Sequence, residues 1–102
     1  MKMTKSDSEY LERLKVAMEE ITGYNYADII AKNRKREMTT VRFIVCYLLK
    51  KNTIMTFESI GEELQRDHST IINAVNSVSD WYLTPPMYRS NLNLIKQIED
   101  AI

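Results

Sequence analysis

The amino-acid sequence predicts an all-α fold of about six helices around a helix-turn-helix. Along most of the chain, apolar residues recur at the three- and four-residue spacing of amphipathic helices. The chain has only two glycines and two prolines, so few positions can interrupt a helix. Its 102 residues suit one domain, and we treat residues 1–102 as a single helix-turn-helix domain.

The first helix is predicted from an apolar face at helical spacing, formed by Leu11, Leu14, Met18 and Ile21. Ser6 or Ser8 is its expected N-cap, and Gly23 is its expected left-handed stop. Asn25, followed three residues later by Asp28, resembles a capping box. It predicts a short second helix that ends near the basic run at 32–36, which has no apolar face and is interpreted as a loop.

A third helix is expected to start at Thr39 or Thr40 and to end near Lys50 and Lys51, where cations suit a helix C-terminus. Its core stripe is Val41, Ile44, Val45, Leu48 and Leu49. Cys46 lies in this apolar helix and is expected to be a packed thiol.

The sequence predicts two further helices separated by a tight turn, and this arrangement indicates a helix-turn-helix. Thr56 caps the shorter helix, whose apolar residues are Phe57, Ile60 and Leu64. The longer helix ends near Trp81 and is marked by Ile71, Ala74, Val75 and Val78. Pro85 and Pro86 then break the chain and are expected in the first turn of a last helix that buries Leu92, Ile95 and Ile98.

The charges of the chain are segregated although they cancel, with 14 Lys and Arg against 14 Asp and Glu. Residues 32–51 hold seven positive charges and one negative, whereas the segments before and after them are net acidic. Such a basic block requires an anionic partner or a solvated face. Like charges in a loop repel one another and gain from phosphate contact, so DNA contact is the preferred interpretation.

A catalytic interpretation fits poorly, although His68 stands between Asp67 and Ser69. Consecutive residues of a helix point about 100° apart, so these side chains do not align as a nucleophile and its base. One histidine and one cysteine are too few to coordinate a zinc ion. Gly23 and Gly61 are too isolated to form a phosphate-binding loop. We expect no enzyme, no metal, no cofactor and no nucleotide.

The compartment is expected to be the cytoplasm. The single cysteine cannot form an intrachain disulfide, and the first residues lack the apolar stretch of a secretion signal. The longest uncharged apolar run is 43–49, far shorter than the roughly 20 residues of a membrane helix. No membrane partner is therefore expected.

The start of the second helix of the helix-turn-helix carries side chains that can read DNA bases. Residues at this position point into a major groove. Asp67 can accept from cytosine, His68 can donate to guanine or thymine, and the Thr70 methyl can touch a thymine methyl. Arg66 is placed for phosphate or guanine. For Asp67, a purely capping role remains the alternative.

These residues carry a family resemblance. The string RDHSTI at 66–71, preceded by Ile60 and Gly61, resembles the DNA-binding C-terminal domain of the bacterial replication initiator DnaA. The segment 27–36 is similar to that family's short helix and basic loop, and Arg42 falls where the family has an arginine. The resemblance covers roughly 9–80. It implies a Trp-repressor-like arrangement of helices and a free-standing relative of the box-binding domain, without the initiator's ATPase module.

By this resemblance, the partner is double-stranded DNA, bound for replication initiation, its regulation or transcription regulation. The helix-turn-helix enters the major groove, with contacts from Arg66, Asp67, His68, Ser69 and Thr70. A basic-loop arginine, Arg34, enters the adjacent minor groove, while Arg42 meets phosphate. The full minor-groove and phosphate set is Lys32, Arg34, Lys35, Arg36, Arg42 and Thr56.

Some residues depart from the family pattern. The turn reads Leu64-Gln65-Arg66, where the family often has a longer turn with glycine, and Phe43 replaces a polar residue. The first helix of the motif is acidic, with Glu58, Glu62 and Glu63. The preferred DNA site can therefore differ from the family's box. The alternative function is a protein-interaction adaptor that docks a replication or regulatory protein.

Overall fold

The computed structural model describes residues 3–32 and 35–102. These residues form six α-helices and no β-strand, which confirms the predicted all-α class. In chain order the helices are α1 (Lys5–Thr22), α2 (Tyr26–Ile30), α3 (Arg36–Asn52), α4 (Phe57–Leu64), α5 (His68–Leu83) and α6 (Arg89–Ala101).

Helix α3 lies at the centre of the fold. It packs most extensively against α5 and also contacts α1, α2 and α4, while α1 packs against α6. The predicted stripe of α3 is buried, with Ile44, Val45, Leu48 and Leu49 at 0% exposure. The core is completed by large side chains from the other helices, including Leu14, Met18, Ile29, Ile60, Leu64, Ile71, Ile95 and Ile98. This core fixes α4 and α5 relative to α2 and α3.

Three of the predicted helix boundaries are confirmed. Gly23 ends α1 in the left-handed conformation, at φ 80°, and its N–H donates to the Glu19 carbonyl. The Asn25 side chain caps α2 by accepting from the backbone N–H of Asp28 at 2.8 Å. The Thr56 hydroxyl caps α4, accepting from the backbone N–H of Ser59 at 3.0 Å.

The expected cap of α1 was wrong. Ser6 and Ser8 lie inside the first turns of the helix, and the N-cap is Thr4, whose hydroxyl accepts from the backbone N–H of Asp7 at 3.1 Å. The first turn of α1 precedes the apolar stripe that begins at Leu11, so the stripe alone places the start of the helix too late.

The start of α3 was also predicted too late. The helix begins at Arg36, about one turn before Thr39 and Thr40, so the basic segment crosses from the loop into the helix. Glu37 suits this first turn because a carboxylate near a helix N-terminus is favourable. Arg36 and Glu37 in this turn are exposed, whereas Met38 is buried three residues before Val41 and extends the apolar stripe by one turn beyond the residues used to predict it.

The two prolines lie before α6 and not in its first turn. Pro85 and Pro86 belong to consecutive turns in which Met87 and Tyr88 donate their backbone N–H groups to the carbonyls of Thr84 and Pro85. Tyr88 packs its ring on Trp81, with the ring centroids 5.8 Å apart. This stack holds the corner between α5 and α6.

Two other expectations concern burial. Cys46 is 1% exposed, which confirms that it is packed in the core, and burial raises the pKa of its thiol to about 12. Within the described residues, no helix has the length and apolar character needed to cross a membrane.

Candidate nucleic-acid interface

The turn between α4 and α5 is tight because two residues allow it. Gln65 follows α4 in the left-handed conformation, at φ 57° and ψ 45°. The Gly61 carbonyl accepts from the backbone N–H of Arg66 at 2.8 Å, which draws the turn back against α4. A Cβ atom on Gly61 would lie 2.6 Å from the Arg66 carbonyl oxygen. Only three residues therefore separate α4 from α5, as a helix-turn-helix requires.

The first turn of α5 presents polar side chains to solvent. The side chains of His68 and Asp67 are 51% and 67% exposed, and Ser69 and Thr70 are exposed as well. The opposite face of α5 is buried through Ile71, Ala74 and Val78. The structure thus places four of the five predicted major-groove residues together on an outward-facing helix end.

Asp67 is the N-cap of α5. Its Oδ2 atom accepts from the backbone N–H of Ser69 at 3.1 Å and also from the Ser69 hydroxyl. These bonds, the hydroxyl bond first, lower the pKa of the Asp67 carboxyl, so it is ionised at neutral pH. The Oδ1 atom lies 3.8 Å from His68 Nδ1. Capping uses Oδ2 and not Oδ1, and a base contact by Asp67 stays a prediction beside the cap.

The hydroxyl of Ser69 donates to Asp67 and is not directed to the His68 imidazole. This differs from a nucleophile activated by a neighbouring histidine, in which the hydroxyl donates to the ring nitrogen. Within the described residues, no three His, Cys, Asp or Glu side chains come together to hold a metal ion.

The Arg66 guanidinium folds back onto α2. Its Nη1 atom donates to the carbonyls of Ile30 and Leu64, both at 2.8 Å, and its Nη2 atom donates to Ala31 at 3.1 Å. Arg66 is partly buried, unlike the four residues that follow it. Its predicted contact with guanine or phosphate stays a prediction.

Arg42 is 8% exposed and turns to the same end of α2. Its Nε atom donates to the Ile29 carbonyl at 2.9 Å, and an Nη atom donates to the Ala31 carbonyl at 3.0 Å. Burial, and then the neighbouring Arg66 guanidinium, lower the pKa of Arg42. The phosphate role implied by the resemblance stays a prediction. The bonds of Arg42 to the end of α2 are a structural role that the sequence did not reveal.

The remaining basic residues lie between the end of α2 and the start of α3. Lys32 directly follows Ala31, and Lys32, Lys35 and Arg36 are exposed. Arg34, the predicted minor-groove residue, lies outside the described residues. The hydroxyl of Thr56 caps α4, and its contact with phosphate stays a prediction.

The acidic residues of α4 include one that faces the fold. Glu63 accepts from the Tyr26 hydroxyl at 3.2 Å, which ties α4 to α2. Burial of Tyr26, together with the Glu63 carboxylate, raises the pKa of the Tyr26 hydroxyl. Glu58 and Glu62 remain on the exposed side of α4, where they carry part of the negative charge that balances the basic segment.

Comparison with known proteins identifies relatives of this chain. A family model described as the bacterial dnaA protein helix-turn-helix matches residues 12–78. The chromosomal replication initiator protein DnaA of Treponema pallidum is 32% identical over 80 residues, which cover 76% of this chain and 17% of the relative. The same initiator from Wolbachia pipientis is 28% identical over 89 residues, covering 86% of this chain and 19% of the relative.

A third relative, the DnaA protein of Mycoplasma pneumoniae, is 37% identical over 51 residues, which are 50% of this chain and 12% of that protein. The chain thus spans less than a fifth of the length of these curated relatives. No solved structure gives a significant match. The match of the family model includes α2, α3, α4 and most of α5, which carry the candidate interface residues described above.

Proposed function

The chain belongs to the bacterial DnaA helix-turn-helix family, and we propose that it binds double-stranded DNA at specific sites, in replication initiation or its regulation. The observation that carries the proposal is the outward-facing first turn of α5. It carries His68, Ser69 and Thr70 exposed beyond a capping Asp67, on a helix whose opposite face is buried. A polar helix end held rigidly by a core is the geometry that reads base edges in a major groove.

In this proposal, the first turn of α5 reads the bases and the basic segment binds the backbone. His68 donates to a guanine or thymine acceptor, and the Thr70 methyl contacts a thymine methyl. Lys32, Lys35 and Arg36, with Thr56 and the donors of Arg42 that remain, contact phosphates and so position the helix. Arg34 enters the adjacent minor groove, an assignment supported by the family resemblance and the local positive charge.

The proposed activity is binding without catalysis. Support comes from Ser69, whose hydroxyl donates to the capping Asp67 and so is not activated by His68. The reaction chemistry of the longer relatives is not carried over to this chain, since the match covers only a small part of each of them. A calorimetric titration with ATP is expected to give no saturable heat.

The proposal is tested by selecting binding sites from a randomised duplex library and then measuring affinity on the selected site and on an unrelated duplex. We expect a selected core sequence bound at least about a thousandfold more tightly than unrelated DNA. Failure to enrich any sequence, with no binding to mixed duplexes at low salt, would contradict DNA binding and favour a protein-docking function.

The phosphate contacts are tested with a matched pair of charge-removing variants. Arg36→Gln removes an exposed cation at the start of α3, and Lys96→Gln removes an exposed cation on α6. Arg36→Gln is expected to weaken binding to all duplexes alike and to reduce the slope of log affinity against log salt by about one. Lys96→Gln is expected to leave both quantities at their wild-type values. Equal effects of the two variants would show that only net charge matters.

A further inference from the structure

Three large apolar side chains are exposed at the corner between α5 and α6. Leu83, the last residue of α5, is 79% exposed, Met87 in the following turns is 74% exposed, and Tyr82 is 44% exposed. Among the described residues, the other large exposed apolar side chains are Val16 and Ile54, which lie singly on other elements. Single exposed apolar residues are ordinary, whereas several together mark an interaction surface. We call Tyr82, Leu83 and Met87 the corner patch.

The corner patch has a rigid support. Trp81 is buried and stacks on Tyr88, with the ring centroids 5.8 Å apart, so both of these rings pack within the corner. The ring of Tyr82 lies 6.0 Å from that of Tyr47 on α3, which ties the patch to the central helix. A surface that is already ordered loses little conformational freedom when a partner binds it.

Two charges of opposite sign flank the corner patch. Asp80 lies one turn before Leu83 on the same face of α5, and Arg89 follows Met87 by two residues at the start of α6. Both charged side chains are exposed, and in the part of the chain that the structure describes neither forms an ion pair. A surface with an apolar centre, an acidic end and a basic end is complementary to itself after a two-fold rotation.

We infer that the corner patch is the interface of a two-fold homodimer of this chain. Leu83 and Met87 of the two protomers pack together, and Asp80 of each protomer meets Arg89 of the other. A second copy is the partner that this charge arrangement fits, because the two-fold rotation pairs both charges at once. The formal net charge of the chain is zero, so two copies do not repel one another overall.

The dimer is expected to be weak in the absence of DNA. Three exposed side chains with two flanking charges cover less than the roughly 800 Å² per partner of a standard stable interface. We therefore expect a dimer Kd of about 0.1 mM, as for a transient contact. Two copies on neighbouring DNA sites have an effective concentration of about 1 mM, so the second copy should bind about tenfold more tightly than the first.

The length of α5 limits the spacing of two DNA sites bound by one dimer. The corner patch and the first turn of α5 lie at opposite ends of this 16-residue helix, which is about 24 Å long. Two such helices that meet at their C-terminal ends place their first turns no more than about 50 Å apart. Sites one helical turn apart, about 35 Å, are within reach, and sites two turns apart, about 70 Å, are not. The dimer therefore fits an inverted repeat with its half-sites one turn apart.

The dimer is tested first without DNA, so that this result does not depend on the proposed function. Sedimentation equilibrium from about 10 μM to about 1 mM should show association with a Kd near 0.1 mM. The double variant Leu83→Gln, Met87→Gln should weaken association at least about tenfold, because it removes the apolar centre of the interface. Both side chains are exposed, so the fold should survive. Val16→Gln, which alters an exposed apolar residue of α1, is the control and should associate like the wild type.

A charge swap tests the two-fold arrangement. Asp80→Arg alone, or Arg89→Asp alone, places like charges opposite one another at two positions of the dimer and should weaken association about tenfold. The double variant Asp80→Arg, Arg89→Asp should restore the wild-type Kd, because each pair again has opposite charges. Restoration is expected only if these two residues meet across the axis.

The DNA arrangement, which rests on the proposed function, is tested with pairs of the selected site. Duplexes carry two sites as an inverted repeat with centres about 10 or about 20 base pairs apart, or as a direct repeat about 10 base pairs apart. We expect about tenfold cooperativity on the inverted repeat with the shorter spacing and independent binding on the other two. The double variant Leu83→Gln, Met87→Gln should bind a single site normally and lose the cooperativity.

Three outcomes would overturn the inference. One is a wild-type chain that remains monomeric up to about 1 mM. Another is association that Leu83→Gln, Met87→Gln leaves unchanged, which would place the interface elsewhere. The third is a charge swap that fails to restore association after the single reversals have weakened it. Failure to select any DNA site is a separate result, since it contradicts the proposed function and leaves the sedimentation measurements as they are.

Discussion

The α-carbon of Gly61 faces the carbonyl oxygen of Arg66 at a distance that leaves no room for a side chain. An added Cβ atom would lie 2.6 Å from that oxygen, and the next nearest atom, the backbone nitrogen of His68, is at 3.5 Å. The neighbour is main chain and has no side-chain freedom to move away. The turn of the helix-turn-helix therefore depends on a glycine within α4, where glycine is otherwise unfavourable.

Gly61→Ala is expected to lower the free energy of unfolding by about 1–3 kcal/mol, because relief of the overlap requires a backbone shift. The measurement is urea unfolding followed by circular dichroism. Gly23→Ala is the control: position 23 has φ 80° but no atom within 4 Å of an added Cβ, so its cost is conformational only, about 1 kcal/mol. Gly61→Ala should also weaken DNA binding more than Gly23→Ala, and the reverse order would contradict this account of the turn.

Gln65→Gly is expected to stabilise the protein by about 0.5–1 kcal/mol. Gln65 adopts φ 57°, a conformation that costs free energy for a residue with a Cβ atom and little for glycine. Thermal unfolding should show a raised midpoint. The matched control is Gln97→Gly in the exposed middle of α6, where the same substitution should destabilise by about 1 kcal/mol. A fall in stability for both variants would mean that Gln65 makes a contact that outweighs its backbone strain.

His68→Ala and Thr70→Ala should each cost about 1–3 kcal/mol of binding free energy on the selected site and leave nonspecific binding nearly unchanged. Both side chains are exposed and lie off the buried face of α5, so thermal stability should remain near that of the wild type. Ser79→Ala, three turns further along α5, is the control and should bind normally. A similar loss on every duplex would identify His68 and Thr70 as positioning contacts.

The minor-groove assignment of Arg34 is tested with two flanks. Arg34→Ala and the wild type are compared on a site with an A/T-rich flank and on the same site with a G/C flank, at fixed salt. A narrow A/T-rich groove has the deeper negative potential, so the variant should lose more affinity on the A/T-rich flank. Equal losses on both flanks would make Arg34 one more phosphate contact.

The thiol of Cys46 should not react with a disulfide reagent at pH 8 in the folded protein. It is 1% exposed and its pKa is raised to about 12, so the thiolate that carries out the reaction is scarce and shielded. Labelling is expected in denaturant, at a rate that follows the unfolded fraction. Ser79→Cys, exposed on α5, provides the positive control and should react at once. Fast labelling of native Cys46 would indicate that α3 opens locally.

The interiors of the helices were predictable because burial imposes a periodic pattern. The stripes of α3 and α5 lie where the spacing of Ile44, Leu48 and Ile71 put them. The errors fall at helix starts. Helix α1 begins at Lys5 after its Thr4 cap, and α3 begins at Arg36. At both positions caps and charges decide the boundary, and several nearby residues could serve equally well.

For the interface, sequence reasoning identified the exposed residues but not the bonds of the arginines. His68 and Thr70 could be anticipated because a turn followed by an amphipathic helix places its first residues outward. Arg42 and Arg66 bind main-chain carbonyls of 29–31. Every residue type has such a carbonyl, so the sequence does not show which residues accept these bonds. Their partners depend on how α2 packs beside α3 and α5, which only the tertiary structure reveals.

The stacking of Trp81 on Tyr88 has a practical consequence for spectroscopy. Trp81 is the only tryptophan of the chain, and it is 7% exposed at the opposite end of α5 from His68, about 20 Å away at 1.5 Å per residue. Its fluorescence emission therefore monitors the docking of α6 on the end of α5. Addition of DNA should leave that emission nearly constant. Tryptophan fluorescence can therefore report unfolding without interference from DNA bound at the other end of α5.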